Sequence, residues 1–365
     1  MLIDFSEDIL PELKPETEFE AKVVDFVEDW FFWSKTVPVK TSGSTGTPKV
    51  FEVEKARMLN SAQMTCDFLG LEKGDSALLC LPIEYISGKM MVVRAIERGL
   101  KLFVVNPSSK PLENFRGRID FGAMTPLQVE NSLDKIHLIK NLIIGGAAVS
   151  ERLRYKIQES RTKNQKPFFD NYKVTELKEI SGEPSANGHQ PTAVYETYGM
   201  SETLSHIALK QIAPEAQHYF KTFDGVEIST DERGCLRIFA PKLNAEILQT
   251  NDLVEIKNGR EFRFLGRIDN VINSGGAKIF PEQLEALAKK EITNEIVFLG
   301  MEDEVFGQKL IAVIEGRESE KLTEIIYNLP YEKSFHKPKE IVFIPQIPRT
   351  PNGKVDRIQL RKALQ

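Results

Sequence analysis

Cysteine is scarce. Cys66, Cys80 and Cys235 are the only three in 365 residues, an odd number at scattered spacing with no C-x-x-C pair. That excludes a disulfide framework and a zinc site, and it fits a reducing, cytoplasmic compartment. Positive charge is not in excess either: 48 Lys and Arg against 53 Asp and Glu leave a net charge of −5. There is thus no basic footprint for a nucleic-acid partner. No apolar run approaches the roughly 18 residues of a membrane helix, and membrane insertion is not expected. The opening MLIDFSEDIL is acidic, without the basic start and apolar core of a signal peptide. Repeats and low-complexity tracts are missing too. What is present is ordinary globular material, 41% hydrophobic and 28% charged, with ample apolar residues for a core. The length exceeds one ordinary domain and predicts two. The composition describes a soluble protein and leaves a homodimer open.

Along the chain, the spacing of Phe26, Trp30, Phe31, Phe32 and Trp33 predicts one apolar face of a helix. A strand is expected over Phe51–Val53 and a helix from Lys55 to Leu69, stopped near Gly70. Ala77–Leu81, Leu102–Val105 and Asn141–Ile144 read as buried strands, with helices over Ile86–Arg98 and Glu151–Glu159. Such alternation predicts a mainly parallel sheet covered on both faces, with ligands at the carboxyl ends of its strands. Residues 160–190 are polar and turn-rich, which predicts surface loops. From Gly225 to Phe264 the pattern changes to short strands broken by turns (Val226–Ser229, Leu236–Ala240, Asp252–Ile256, Glu261–Leu265), an antiparallel sheet. A new α+β segment follows, with helices near Pro281–Lys290 and Glu320–Asn328 and strands at Glu295–Leu299 and Leu310–Ile314. The boundary is placed at Asp269, giving domains 1–268 and 269–365.

The densest stretch is Lys40–Val50, KTSGSTGTPKV. Glycines let a backbone approach a ligand and turn its N–H groups inward, and hydroxyls plus an ammonium complete a nest suited to polyphosphate. It is not a Walker loop, which needs a hydroxyl residue directly after its lysine. By composition alone such a cluster is more often a plain loop. Further on come IIGGAAVS with Gly145 and Gly146, YETYGMSET over Tyr195–Thr203, TND over Thr250–Asp252, GRIDNVINSGGAKIFPE after Leu265, and PRTPNGKVDR from Pro348. Taken singly, YETYGMSET reads as a strand followed by a helix start with Ser201 as N-cap, and Lys354 as a solvated loop lysine.

Together and in this order, the motifs resemble those of the adenylate-forming enzymes: acyl- and aryl-CoA ligases, adenylation domains and luciferases. The likeness runs from residue 40 to the end of the chain. It implies a large α/β N-terminal domain of parallel and mixed sheets with a small antiparallel region, followed by a small mobile α+β domain. It also implies ATP, Mg²⁺ and coenzyme A. Thr41, Ser42, Gly43, Ser44, Thr45, Gly46 and Lys49 would hold phosphates, with Gly145 and Gly146 along the adenine. Tyr198, beside Gly199, would stack on the base, Ser201 would contact phosphate, and Glu202 would hold Mg²⁺. Asp252 would accept from the ribose hydroxyls, where the family most often has TGD in place of TND, and Arg267 would add a charged contact. Asp269 would be the hinge, Gly275 and Gly276 the turn that faces coenzyme A, and Lys354 the catalytic lysine of adenylation.

Within that family, LPIEYISGKMMVVRAIERG (Leu81–Gly99) resembles a segment of o-succinylbenzoate–CoA ligases of menaquinone biosynthesis. The likeness implies a small aromatic carboxylate as substrate. Tyr85 stands where His is usual; Ser87 and Gly88 would offer N–H groups; Arg94 would face the distal carboxylate. A charge in MMVVRAI is more readily paired than free, and a protein acid is the alternative partner. The glycine loop begins at residue 41, earlier than in most relatives, so a reduced first subdomain is expected. A generic acyl- or aryl-CoA ligase, a carrier-loading adenylation enzyme and a non-catalytic nucleotide-binding regulator stay open at this level.

Overall fold

The computed structural model describes residues 1–9, 12–40, 50–164, 192–350 and 355–364. The chain begins with β1 (Leu2–Asp4), α1 (Glu18–Phe31), the hairpin β2 (Thr36–Lys40) and β3 (Val50–Glu54), and α2 (Lys55–Leu69). A βα alternation follows: β4 (Ser76–Leu79), α3 (Ile86–Arg98), β5 (Lys101–Val104), β6 (Ile119–Met124), α4 (Pro126–Glu130), β7 (Ile139–Ile144) and α5 (Glu151–Asn164). Then come β8 (Ala193–Gly199), β9 (His206–Ala213), β10 (Phe220–Thr222), β11 (Glu227–Thr230), β12 (Cys235–Ala240), β13 (Asn244–Asn258) and β14 (Glu261–Arg267). The last part holds β15 (Ile272–Ser274), β16 (Ala277–Ile279), α6 (Pro281–Glu291), β17 (Ile296–Asp303), β18 (Gly307–Glu315), α7 (Glu320–Tyr327), β19 (Glu340–Ile344) and α8 (Arg357–Ala363).

Among the described residues, twelve strands make one sheet in the order β1-β5-β4-β6-β7-β8-β9-β10-β14-β13-β12-β11. The run from β5 to β8 is parallel, and everything beyond β8 is antiparallel. The antiparallel region predicted from Gly225 onward is therefore a continuation of the parallel sheet rather than a separate one. The α/β class and mixed sheet match expectation. In β4, Ala77 and Leu79 join the core under α1–α3, while Leu78 faces the core under α4 and α5. Alternate residues pointing to two apolar layers is what a sheet covered on both faces requires. A second sheet, β16-β15-β18-β17 with β19 parallel to β18, begins just after Asp269.

Local signals explain the boundaries. Gly70 and Gly99, both left-handed, close α2 and α3. Thr17 caps α1 through a hydrogen bond from the Glu20 amide. The aromatic series of α1 needs correction. Phe26 and Trp30 are buried, but the helix ends at Phe31, and Phe31, Phe32 and Trp33 are exposed, Trp33 at 92%. Their spacing continued a helical face past the point where the helix stops. Of the loops expected over 160–190, residues 160–164 continue α5 instead, and residues 165–190 lie outside the described residues.

Candidate active site

A cavity of about 330 Å³ opens at the carboxyl ends of β4, β6, β7 and β8. These are the positions that the parallel-sheet rule assigns to a ligand. Gly145 and Gly146 follow β7, Met124 ends β6 and Thr125 follows it, and Gly199 ends β8; all five line it, as do Tyr85, Ser87 and Arg94 from the start and body of α3. The hairpin beside it pairs Lys40 with Val50 in register and lends Val39 and Phe51 to the wall. The predicted phosphate loop residues Thr41, Ser42, Gly43, Ser44, Thr45, Gly46 and Lys49 lie outside the described residues, and so does Lys354.

Two glycines exist because backbones meet there. A Cβ on Gly199 would stand 2.3 Å from the Ser205 carbonyl oxygen and 2.5 Å from the Cα of His206. Gly199 thus lets the Met200–Ser205 turn fold tightly back against β8. A Cβ on Gly88 would stand 2.2 Å from the Pro82 carbonyl oxygen. Gly88 is buried and does not line the cavity; its requirement is the close seating of α3 on Pro82 and Ile83. The turn after β8 is a single 3₁₀ turn, Ser201–Thr203, leading straight into β9 rather than a helix. The buried Thr203 hydroxyl accepts from the Met200 amide at 3.0 Å and lies within 2.6 Å of the Ser205 carbonyl, tying the turn shut. Glu202 is left exposed on its rim. A hard oxygen donor presented singly fits Mg²⁺, which takes one or two carboxylates and completes its shell with phosphates and water.

Arg94 is the charged residue of the described wall. It is 2% exposed and has no carboxylate partner among the described residues. Nη2 donates to Ser205 Oγ at 2.8 Å, Nη1 approaches Met91 Sδ at 3.8 Å, and Nε has no partner among the described residues. Burial pushes the guanidinium down to about 10, which leaves it protonated at neutral pH. His206, next to it in the wall, is buried and held well below the usual imidazole range by burial and by Arg94. The wall therefore carries one positive charge and no negative one among its described residues.

A second group assembles beside Gly199. The Tyr198 hydroxyl donates to Asp252 Oδ2 at 2.6 Å, and the ring packs edge-on to Phe262. Burial, then the Asp252 charge, raise the Tyr198 phenol far above its ordinary range. Arg267 lies 3.8 Å from Asp252 Oδ1 and 2.9 Å from Asp269 Oδ2. The Asn251 amide, at the TND position, donates to both Asp269 oxygens at 3.1 Å. Tyr198 is thus joined through Asp252 to the Arg267–Asp269 pair. Gly275 and Gly276 form the turn between β15 and β16 and are not part of the cavity wall.

Sequence reasoning missed Thr125, Thr197, Ser205 and His206, all in the wall. Their one signal is position: each stands at or just past the end of a buried strand or at the foot of the next. Ser205 and His206 directly follow YGMSETL.

No family model matches the chain. A 2-succinylbenzoate–CoA ligase from Lactococcus lactis subsp. lactis is 24% identical over 351 residues, covering 89% of this chain and 70% of that one. An acyl-CoA synthetase (AMP-forming)/AMP-acid ligase II-like protein from Dyadobacter fermentans, known by crystal structure, is 34% identical, with a TM-score of 0.61 and 97% of each chain covered. The structure of an O-succinylbenzoate coenzyme A synthetase from Bacillus subtilis, in complex with ATP and magnesium ion, shares the fold at 19% identity. Its TM-score is 0.68, over 89% of this chain and 69% of that one.

Proposed function

Because the chain belongs to the adenylate-forming acid–CoA ligase superfamily, we propose that it joins o-succinylbenzoate to coenzyme A at the expense of ATP, yielding o-succinylbenzoyl-CoA for menaquinone biosynthesis. The observation that carries the choice of acid is Arg94, a buried cation with unspent donors in a cavity whose described wall is otherwise uncharged. A buried charge without a partner is costly. A ligand carboxylate that completes it gains charge-assisted hydrogen bonds worth roughly 1.5–3 kcal/mol, enough to favour a diacid over a monoacid.

In the first step the aromatic carboxylate attacks the α-phosphorus of ATP, forming an acyl-adenylate and releasing pyrophosphate. Two anions must meet, so the residues that help are cations and oriented donors. Thr41–Gly46 with Lys49 would cradle the phosphates, and Ser201 would contact them. Glu202 would hold Mg²⁺, which supplies charge neutralisation at those phosphates. Lys354 would bridge the carboxylate and the α-phosphate. Gly145 and Gly146 would run along the adenine, Tyr198 would stack on it, and Asp252 with Arg267 would take the ribose. Tyr85 and Ser87, which line the cavity, would contact the acid. In the second step the coenzyme A thiolate attacks the acyl carbon and AMP leaves. We take residues 269–365 as a domain that turns about Asp269, removing Lys354 and bringing Gly275 and Gly276 to the site.

The experiment is ATP–pyrophosphate exchange with o-succinylbenzoate, benzoate, cinnamate and a fatty acid. Exchange should depend on o-succinylbenzoate. Equal exchange with benzoate would remove the diacid from the reading, and no exchange with any acid would remove adenylation.

A further inference from the structure

The guanidinium of Arg94 is held by a chain of neutral groups. Nη2 donates to Ser205 Oγ at 2.8 Å, and that oxygen is 3.2 Å from His206 Nδ1. On the far side of the ring, Nε2 is 3.2 Å from Thr65 Oγ1, which donates to the Ser61 carbonyl at 3.1 Å. The ends of this chain settle its direction. A guanidinium only donates and a carbonyl only accepts. Thr65 has spent its proton on Ser61, so its oxygen receives the proton of Nε2. The bare Nδ1 then accepts from Ser205, whose lone pair receives Arg94. A proton on Nδ1 instead would leave a bare Nε2 facing Thr65, whose single proton is already given to the Ser61 carbonyl. Thr65 is 0% and His206 7% exposed, so at the Thr65 end water does not replace a lost partner, and the ring is further fixed edge-on to Phe223 at 5.4 Å.

We propose that His206 and Thr65, acting through Ser205, are positioning residues that aim Arg94 at the second carboxylate of the acid. Specificity for a diacid then resides in a hydrogen-bond chain reaching from α3 across β9 to α2, not in Arg94 alone. Nη2 is committed to Ser205, and Nε is left without a partner among the described residues. With one nitrogen pinned, the rest of the fork keeps a fixed direction. The proposal rests on the reading that Arg94 receives that carboxylate.

The test compares KM for o-succinylbenzoate, benzoate and ATP in pyrophosphate exchange by the wild type, R94A, H206L, H206N, T65V and the R94A/H206L double variant. In H206L, KM for o-succinylbenzoate should rise about tenfold, the loss of one charge-assisted contact, with KM for benzoate and ATP unmoved. H206N should recover most of it, because the Asn Oδ1 can accept from Ser205. The double variant should be no worse than R94A. Should H206L not fold, T65V carries the test, with a smaller shift in the same direction. An unmoved diacid KM in H206L, in an enzyme where R94A raises it, overturns the positioning role. Equal rises for all three substrates overturn it too, since they signal damaged packing. If R94A itself leaves the diacid KM unmoved, the substrate reading fails first and this proposal with it.

Discussion

The Tyr198 hydroxyl donates a 2.6 Å hydrogen bond to the carboxylate of Asp252, although the two lie 54 positions apart. The bond joins the end of β8 to the middle of β13. It fixes the residue proposed to stack on the base relative to the one proposed to take the ribose. Replacing Tyr198 with Phe keeps the ring and removes the bond. A hydrogen bond to a charged group is worth about 1.5–3 kcal/mol when well shielded, and this one is partly exposed. Tyr198→Phe should therefore raise KM for ATP severalfold, leaving KM for the acid unchanged. An unchanged KM for ATP would separate the pair from nucleotide binding.

Arg94 predicts a conflict between stability and function. Its burial without a carboxylate is unfavourable in the free protein, and a Met of similar length removes the charge while filling the space. Arg94→Met should unfold at equal or higher urea concentration than the wild type, yet lose at least tenfold in kcat/KM for o-succinylbenzoate. A variant that is both less stable and fully active would contradict the site built around this residue.

The pH dependence of stability should carry the mark of His206. Its folded pKa lies well below the ordinary 6.5 because burial and Arg94 disfavour the charged ring. The unfolded chain takes up a proton near 6.5 that the folded protein refuses. The contribution is therefore intact above that pH and lost as the pH falls, at up to about 1.4 kcal/mol per unit. Urea unfolding at pH 7.5 and pH 5.0 should show a drop in the wild type that is smaller in His206→Asn. Parallel drops in both proteins would mean that the ring is charged when folded.

Lys354→Ala tests the two-step mechanism and the hinge. Pyrophosphate exchange should collapse, while thioester formation from supplied acyl-adenylate survives, because the lysine is assigned to the first step only. Loss of both steps to the same extent would count against rotation about Asp269.

How far the sequence could be read depended on the range of the interactions involved. The helices over Lys55–Leu69 and Ile86–Arg98 were legible to the residue, since left-handed glycines end both and stop signals are local. Of the buried strands of the βαβ run, β4, β5 and β7 were legible from their apolar runs, whereas β6, between β4 and β7 in the sheet, was missed because Asp120 and Gly122 interrupt its apolar run. Phe31, Phe32 and Trp33 misled because periodicity says which residues share a face, not where a helix stops. The continuity of the antiparallel strands with the parallel sheet was not legible. It depends on β8 pairing with β9 across the tight turn permitted by Gly199.

The sequence by itself determined the class of chemistry and its order along the chain. The glycine loop, YGMSE, TND, GRID and the PNGK lysine are short segments, each carrying its own backbone or charge requirement. Only the tertiary structure decided what Arg94 faces. Whether a guanidinium in an apolar stretch of α3 meets a protein acid or a cavity wall without described acids depends on Ser205, His206 and Thr65, which come from β9 and its leading turn and from α2. Contacts between segments so distant in sequence leave no local pattern, because they exist only once the sheet has brought those elements together.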